Sequence, residues 1–345
     1  MPLSTHLSSS QSRPKHPAAW AITVALACAL AWPGSSTAGP IRDALKKRQE
    51  ARAAASPHPS SHASGIEQDD EDGPQGGPIK LPPGVVHLEG VSYGSAPAQR
   101  FDVYRPKSAK NAPVIFMVHG GGWRHGSKTA KAVVQNKVAH WVGKGFVLIS
   151  TDYRLLPDAD PLEQARDVAQ ALTTAQAKAS TWGGDAHQFV LMGHSAGAHL
   201  VALINASPVI ATGLGAKPWL GTVALDSAAL NVVSVMEDKH LRLYDRAFGT
   251  DPGFWQATSP WHQLTKGSAP LLAVCSSHRS DSCPQAEQYR DKALSLGSRT
   301  SVLPQDMSHG EINERLGLAG SYTEAVDAFL IGLSTEIART LLGAH

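Results

Sequence analysis

Several kinds of chemistry leave marks that this sequence does not carry. It has no His-Glu-x-x-His pattern and no other spacing of His, Cys, Asp and Glu that would gather a metal. No Gly-x-Gly-x-x-Gly or P-loop pattern stands between a strand and a helix, so no dinucleotide or nucleoside triphosphate is implied. The expectation is an activity that needs no cofactor and no metal. No unit repeats along the chain, which argues against a solenoid. Charge of one sign is scarce: the formal balance is +2. That gives no electrostatic case for nucleic acid or for an anionic membrane surface. Cysteine is scarce too, with three in 345 residues: Cys28, Cys275 and Cys283.

The N-terminal quarter reads as processing and linkage. Arg13 and Lys15 precede an apolar stretch, Ala18–Trp32, and the small residues Ser36-Thr37-Ala38, the order of an export signal over residues 1–38. Fifteen apolar residues are short for a membrane span, which needs about 20. A retained anchor and a lipoprotein through Cys28 are the alternatives. Removal of 1–38 takes both basic residues and no acid, leaving a neutral chain. The expectation is a periplasmic or secreted protein with no membrane attachment after cleavage. Residues 39–84 are rich in Ala, Ser, Pro and Gly and poor in large apolar side chains, so they read as a disordered linker with room for a short helix near Ile41–Ala55. Residues 85–345 are enough for one domain with a sizeable core.

Within that domain one stretch organises the rest. The apolar run Phe189–Met192 leads into Gly193-His194-Ser195-Ala196-Gly197, and the apolar residues that follow share one side of a helix. A Gly-x-Ser-x-Gly between strand and helix is the context of a nucleophile elbow. The glycines have a steric reason: at so sharp a turn a Cβ at 193 or 197 would strike the strand or helix beside it. A serine hydroxyl needs a base, and the chain order to expect is serine, acid, histidine. His309, in the Gly-flanked loop Met307–Gly310 after the last strand, is the expected base. Asp281, in the polar loop after the apolar strand Pro270–Cys275, is the expected acid, with Asp226 at the end of Thr222–Leu225 as runner-up. Asp306 and Glu311 stand too near His309 in sequence to orient its ring. His119 and His194 are expected to hydrogen-bond beside the reacting groups.

Attack on a carbonyl creates an oxyanion, which needs donors already in place. Strand Val114–Val118 ends in His119-Gly120-Gly121-Gly122-Trp123, where backbone N–H groups can approach a substrate unobstructed. The expected oxyanion hole is formed by the amides of Gly121, Gly122 and Ala196. Eight strands are predicted, near 85–93, 100–104, 114–118, 146–151, 189–192, 222–225, 271–275 and 298–303. Continuous apolar strands such as VIFMV and FVLIS need a parallel sheet covered on both faces. Asp160, Pro161 and Glu163 open a helix over Pro161–Lys178 with a capping box. The class is α/β with an antiparallel start.

HGGGW, Asp152-Tyr153-Arg154-Leu155, GHSAG, Ala257-Thr258-Ser259-Pro260, and Asp281 followed by His309 together resemble the α/β-hydrolase fold. Within it they resemble the esterase/lipase group that includes bacterial feruloyl-esterase-like proteins and kynurenine formamidases. The resemblance implies a mostly parallel eight-stranded sheet with helices on both faces and a small cap insertion. It also implies an exported serine hydrolase acting on small carboxylic esters through an acyl-enzyme, with an arylformamidase-like activity or a non-catalytic binding role as alternatives. The cap would be Ser227–Gly267, with Tyr244, Phe248, Phe254, Trp255 and Trp261. One departure is the acid loop, where Cys275–Cys283 replaces the family's glycine turn. Loss of Cys28 with the signal leaves an even pair in an oxidising compartment, so Cys275 and Cys283 are expected to form a disulfide around Asp281.

Overall fold

The computed structural model describes residues 79–343. The expected export segment, and the linker up to residue 78, lie outside the described residues. Eight strands form a single sheet: β1 Val85–Ser92, β2 Arg100–Pro106, β3 Ala112–Val118, β4 Val147–Thr151, β5 Gly184–His194, β6 Gly221–Leu225, β7 Leu271–Ser276 and β8 Thr300–Gln305. Their spatial order is β1-β2-β4-β3-β5-β6-β7-β8. β1 and β2 run antiparallel, and every pairing from β4 to β8 is parallel. Each predicted strand is present. β5 differs most, starting five residues earlier than its apolar run because Gly184 pairs with Ala112 at the bottom of the sheet.

The alternation of side chains along the central strands builds two cores. Val114, Phe116 and Val118 face one way, where Leu162, Val168 and Leu172 of the helix Pro161–Lys178 cover them together with Leu200 and Ile204. Ile115 and Met117 face the other way, toward Val133, Trp141, Ile312 and Val326. Both faces are sealed, as a buried parallel sheet requires. The helix Pro161–Lys178 begins as expected. The Asp160 carboxylate accepts from the N–H groups of Leu162 and Glu163, and Glu163 accepts from the N–H of Asp160.

The sheet order matters to function because it sets strand ends side by side. His194 at the end of β5 pairs in register with Leu225 at the end of β6. The residues one step beyond them, Ser195 and Asp226, therefore leave adjacent strands at the same edge. Between β6 and β7 the chain makes the short helices Val232–Glu237, Arg242–Phe248 and Pro252–Thr258. No helix among the described residues is long and apolar enough to cross a membrane.

Candidate functional site

The serine side is held by steric exclusion. Ser195 has φ 53° and ψ −119°, a left-handed conformation that costs a non-glycine residue on the order of 1–3 kcal/mol. The turn closes so tightly that a Cβ on Gly193 would stand 2.4 Å from the carbonyl oxygen of Gly197. A Cβ on Gly197 would stand 2.3 Å from the carbonyl oxygen of Val118 and 2.4 Å from that of His119. Only glycine fits either place. The N–H of Ser195 donates to the carbonyl of Leu225 at 2.9 Å, which ties the elbow to β6.

The loop after β3 packs against this elbow and is braced from three directions. Gly121 and Gly122 have φ 102° and 56°, and Trp123 follows at φ 61°. The Gly121 carbonyl accepts the N–H groups of Arg124 (3.0 Å) and His125 (2.8 Å). Tyr153 stacks on His119 and donates its hydroxyl to the His119 carbonyl at 3.0 Å. Gln164 donates to the Trp123 carbonyl at 2.8 Å. The Trp123 indole N–H reaches His199 Nδ1 at 3.2 Å, and His199 Nε2 donates to the carbonyl of Thr258 at 2.7 Å. Burial drives the His199 pKa down to about 4 against the opposing pull of that carbonyl, so the ring is neutral and clamps the loop, the elbow helix Ala196–Ala206 and the cap segment together. His199 was not among the sequence candidates. Its signal was its place on the elbow helix, four residues after the serine, where a buried polar ring must find partners on both nitrogens.

The acid side departs from expectation. His309 Nδ1 lies 2.5 Å from Asp226 Oδ2, and Asp226 is fully buried. Asp281 does not reach His309. Its side chain is 52% exposed, and its partner is Arg279, with Nε 3.5 Å from Asp281 Oδ1. The carboxylate on the histidine is thus Asp226, the runner-up. The reason lies in the sheet. Asp226 directly follows β6 and sits beside the elbow, whereas Asp281 comes five residues after β7, at the start of the helix Ser282–Ser295. Asp306 is bonded to His278 at 2.6 Å, and Glu311 caps its own helix through the N–H of Ser308, so neither touches the ring.

Cys275 and Cys283 are joined, with S–S 2.06 Å. The loop they close does not deliver Asp281; it grips Asp226. Within it the Ser276 N–H donates to Asp226 Oδ1 at 2.7 Å, Arg279 Nη1 donates to Oδ2 at 2.9 Å, and the Ser282 hydroxyl donates to Oδ1. Burial pushes the Asp226 carboxyl up. The His309 hydrogen bond, the Arg279 charge and the Ser282 bond outweigh it and hold the group well below the usual carboxylate range. For His309 burial dominates and, with His194 opposite, lowers its pKa below the ordinary value of 6.5 despite Asp226. Arg279 Nη1 also stands 3.0 Å from His309 Nδ1. A guanidinium can only donate, so a proton on Nδ1 excludes that contact. The shorter approach of a full carboxylate favours Nδ1–H donating to Asp226, which leaves the Nε2 lone pair free. His194 supports the ring from its other side, with Nε2 3.0 Å from the His309 carbonyl oxygen.

Ser195, Asp226 and His309 border one cavity of about 370 Å³, within the range of small-ligand pockets. Of the three amides expected in an oxyanion hole, those of Gly122 and Ala196 belong to residues that border it. Gly121 is not among the lining residues and instead turns the loop. The cap contributes Leu241, Leu243, Tyr244 and Arg246. Phe248 and Phe254, by contrast, are buried in the core.

Residues 101–211 match the family model described as BD-FAE. Among curated proteins, the chain is 40% identical over 121 residues to "Esterase LipC" of Mycobacterium tuberculosis, covering 34% of this chain and 29% of that one. It is 31% identical over 118 residues to "Kynurenine formamidase" of Danio rerio, covering 34% of this chain and 38% of that one. The matched segment thus spans about a third of the length of these relatives. Among solved structures, a "Truncated form of carbohydrate esterase from gut microbiota" superposes with TM-score 0.62 at 17% identity, over 72% of this chain and 96% of that one. The fold is that of the α/β-hydrolases.

Proposed function

We propose that this α/β-hydrolase chain is a serine carboxylesterase that works through an acyl-enzyme. The observation that carries the reading is the meeting, at one cavity, of Ser195 on its strained turn with a neutral His309 backed by a buried, ionised Asp226. Ser195 Oγ attacks the ester carbonyl as its proton passes to His309 Nε2. Asp226 holds the ring in the required tautomer and stabilises the imidazolium. The oxyanion is met by the amides of Gly122 and Ala196, each donor worth about 2.7–4 kcal/mol. Protonated His309 then gives its proton to the departing alcohol. Water, activated by the same ring, attacks the acyl-serine and regenerates the hydroxyl.

The test is a panel of p-nitrophenyl esters with N-formyl-kynurenine, run beside a fluorophosphonate label. The expected result is ester turnover with the label on Ser195, and loss of both in Ser195→Ala. Formamide turnover far above every ester moves the assignment to an arylformamidase, which the kynurenine formamidase relative supports as a second reading. No label and no turnover leaves a binding protein. The mature protein is proposed to be periplasmic or secreted, on the strength of residues 1–38, and N-terminal sequencing should find it beginning at Gly39.

A further inference from the structure

We infer that Arg279 is a positioning residue for the acid–base pair, a fixed cation that holds Asp226 on His309 and opposes protonation of the ring. Built on the hydrolase reading, this adds the group that sets the strength of the base. Three atoms form a tight triangle. His309 Nδ1 lies 2.5 Å from Asp226 Oδ2, Arg279 Nη1 lies 2.9 Å from the same oxygen, and Nη1 and Nδ1 are 3.0 Å apart. Nη1 also reaches the Asp226 carbonyl oxygen at 3.3 Å. One carboxylate oxygen thus accepts from two donors, which are neighbours on it and not bonded to each other. The cation stands almost as near the ring as the anion does. Asp226 is fully buried and the Arg279 side chain is 24% exposed, so water screens neither charge well.

When the serine proton arrives at Nε2, the ring becomes an imidazolium. Asp226 attracts that charge and Arg279 repels it, so the ring is a weaker base than Asp226 alone would make it. A weaker base is neutral at lower pH and gives its proton more readily to the departing alcohol. Burial and then His194 lower the ring's pKa furthest, and Arg279 adds to them. Asp281 enters at one remove. Its Oδ1 stands 3.5 Å from Arg279 Nε, a different nitrogen from the one that meets Asp226. Being half exposed, it offsets the cation in part. Burial pulls the Arg279 pKa down, and the charges of Asp226 and then Asp281 outweigh it, so the guanidinium keeps its charge at every working pH.

The other elements around the ring bring different groups. His194 comes from the end of β5 and meets the His309 carbonyl. Tyr244 of the cap and Tyr322 of the helix Ser321–Ile331 stay neutral, because burial raises both phenols, Tyr244 to about 12. His278 is bonded to Asp306, and Glu311 caps its own helix. Lys137 donates to Asn313, at the far end of the His309 helix. Arg279 is what brings a permanent positive charge against both Asp226 and His309.

The pH profile of kcat/KM on one p-nitrophenyl ester tests this. In Arg279→Gln the midpoint of the rising limb should move up by about half a unit or more, less than a lone charge at that range gives because the two carboxylates offset it. Arg279→Lys keeps the charge and should bring the midpoint most of the way back. Asp281→Asn removes the partial offset and should move the midpoint down by about 0.3 unit, a shift reduced by its exposure. An arginine that served structure alone would lower kcat in both Arg279 variants and leave the midpoint in place. That result overturns the inference, as does a midpoint that falls in Arg279→Gln. Should Arg279→Gln not fold, Asp281→Asn decides, since it alters a half-exposed side chain; an unmoved or raised midpoint there overturns the inference. An unmoved midpoint in an enzyme that takes the fluorophosphonate on Ser195 leaves the hydrolase reading standing. No turnover and no label in the unaltered protein overturns that reading and this inference with it.

Discussion

On the serine side of the site the controlling residues are consecutive: Gly193 to Gly197 carry the whole turn, and each glycine is required by an atom within 2.5 Å of where its Cβ would be. On the acid side they are scattered, with Asp226 after β6, Ser276, Arg279 and Ser282 around the loop after β7, and His309 after β8. One half is a steric constraint that a short motif can state. The other is an electrostatic arrangement of three loops, any of which could offer a carboxylate. A short motif therefore locates a tight turn and its serine far better than it locates the carboxylate that meets a histidine from a distant loop.

The sharpest way to break that comparison is to exchange the acids. Asp226→Asn should lower kcat by about 10⁴-fold by favouring the wrong imidazole tautomer, while Asp281→Asn should stay within about threefold. Steady-state kinetics on one p-nitrophenyl ester decide it, and a severe Asp281→Asn with a mild Asp226→Asn would restore the assignment read from sequence. The serine side should break differently, through the fold. Gly197→Ala forces its Cβ into the carbonyls of Val118 and His119, and should cost about 3 kcal/mol of stability along with the activity. Thermal denaturation checks this; an unchanged Tm would mean that the turn is looser than its geometry.

A smaller effect is expected from the clasp on the acid side. Cys275→Ser with Cys283→Ser opens an eight-residue separation. Chain entropy puts the loss near 2.5 kcal/mol, an order-of-magnitude figure. Because Ser276, Arg279 and Ser282 all hold Asp226, turnover at a temperature where the variant is folded should fall as well. Stability lost with kcat intact would reduce the bridge to a staple.

The mildest perturbation is pH. The proposed mechanism needs His309 neutral, and burial with His194 opposite lowers its pKa. kcat/KM should therefore rise with pH along a limb whose midpoint lies below 6.5, and be flat through neutrality. Asp226, ionised throughout, contributes no second limb there. A midpoint above 6.5 would mean that the attraction of Asp226 outweighs burial, and would reverse the balance assigned to the ring.

The α/β class, the eight strands, the tight turn at Ser195, the glycine loop, the histidine after the last strand and the cysteine pair were all legible in the sequence. Each is stated by residues close in the chain: apolar runs that must be buried on both faces, glycines where no Cβ fits, a histidine in a short loop after the last strand. The helix Pro161–Lys178 was equally legible, because a capping box is a three-residue bond pattern. What tertiary structure alone decided is which carboxylate meets the ring. Asp226 and Asp281 both follow apolar strands, and sequence does not reveal that Asp226 leaves β6 beside Ser195 while the loop after β7 turns Asp281 toward solvent. The same holds for His199 and for Arg279, whose partners come from separate segments. Neighbourhood in the chain is a covalent fact, while the pairing of distant charges depends on strand order and loop path, which emerge only once both cores have packed.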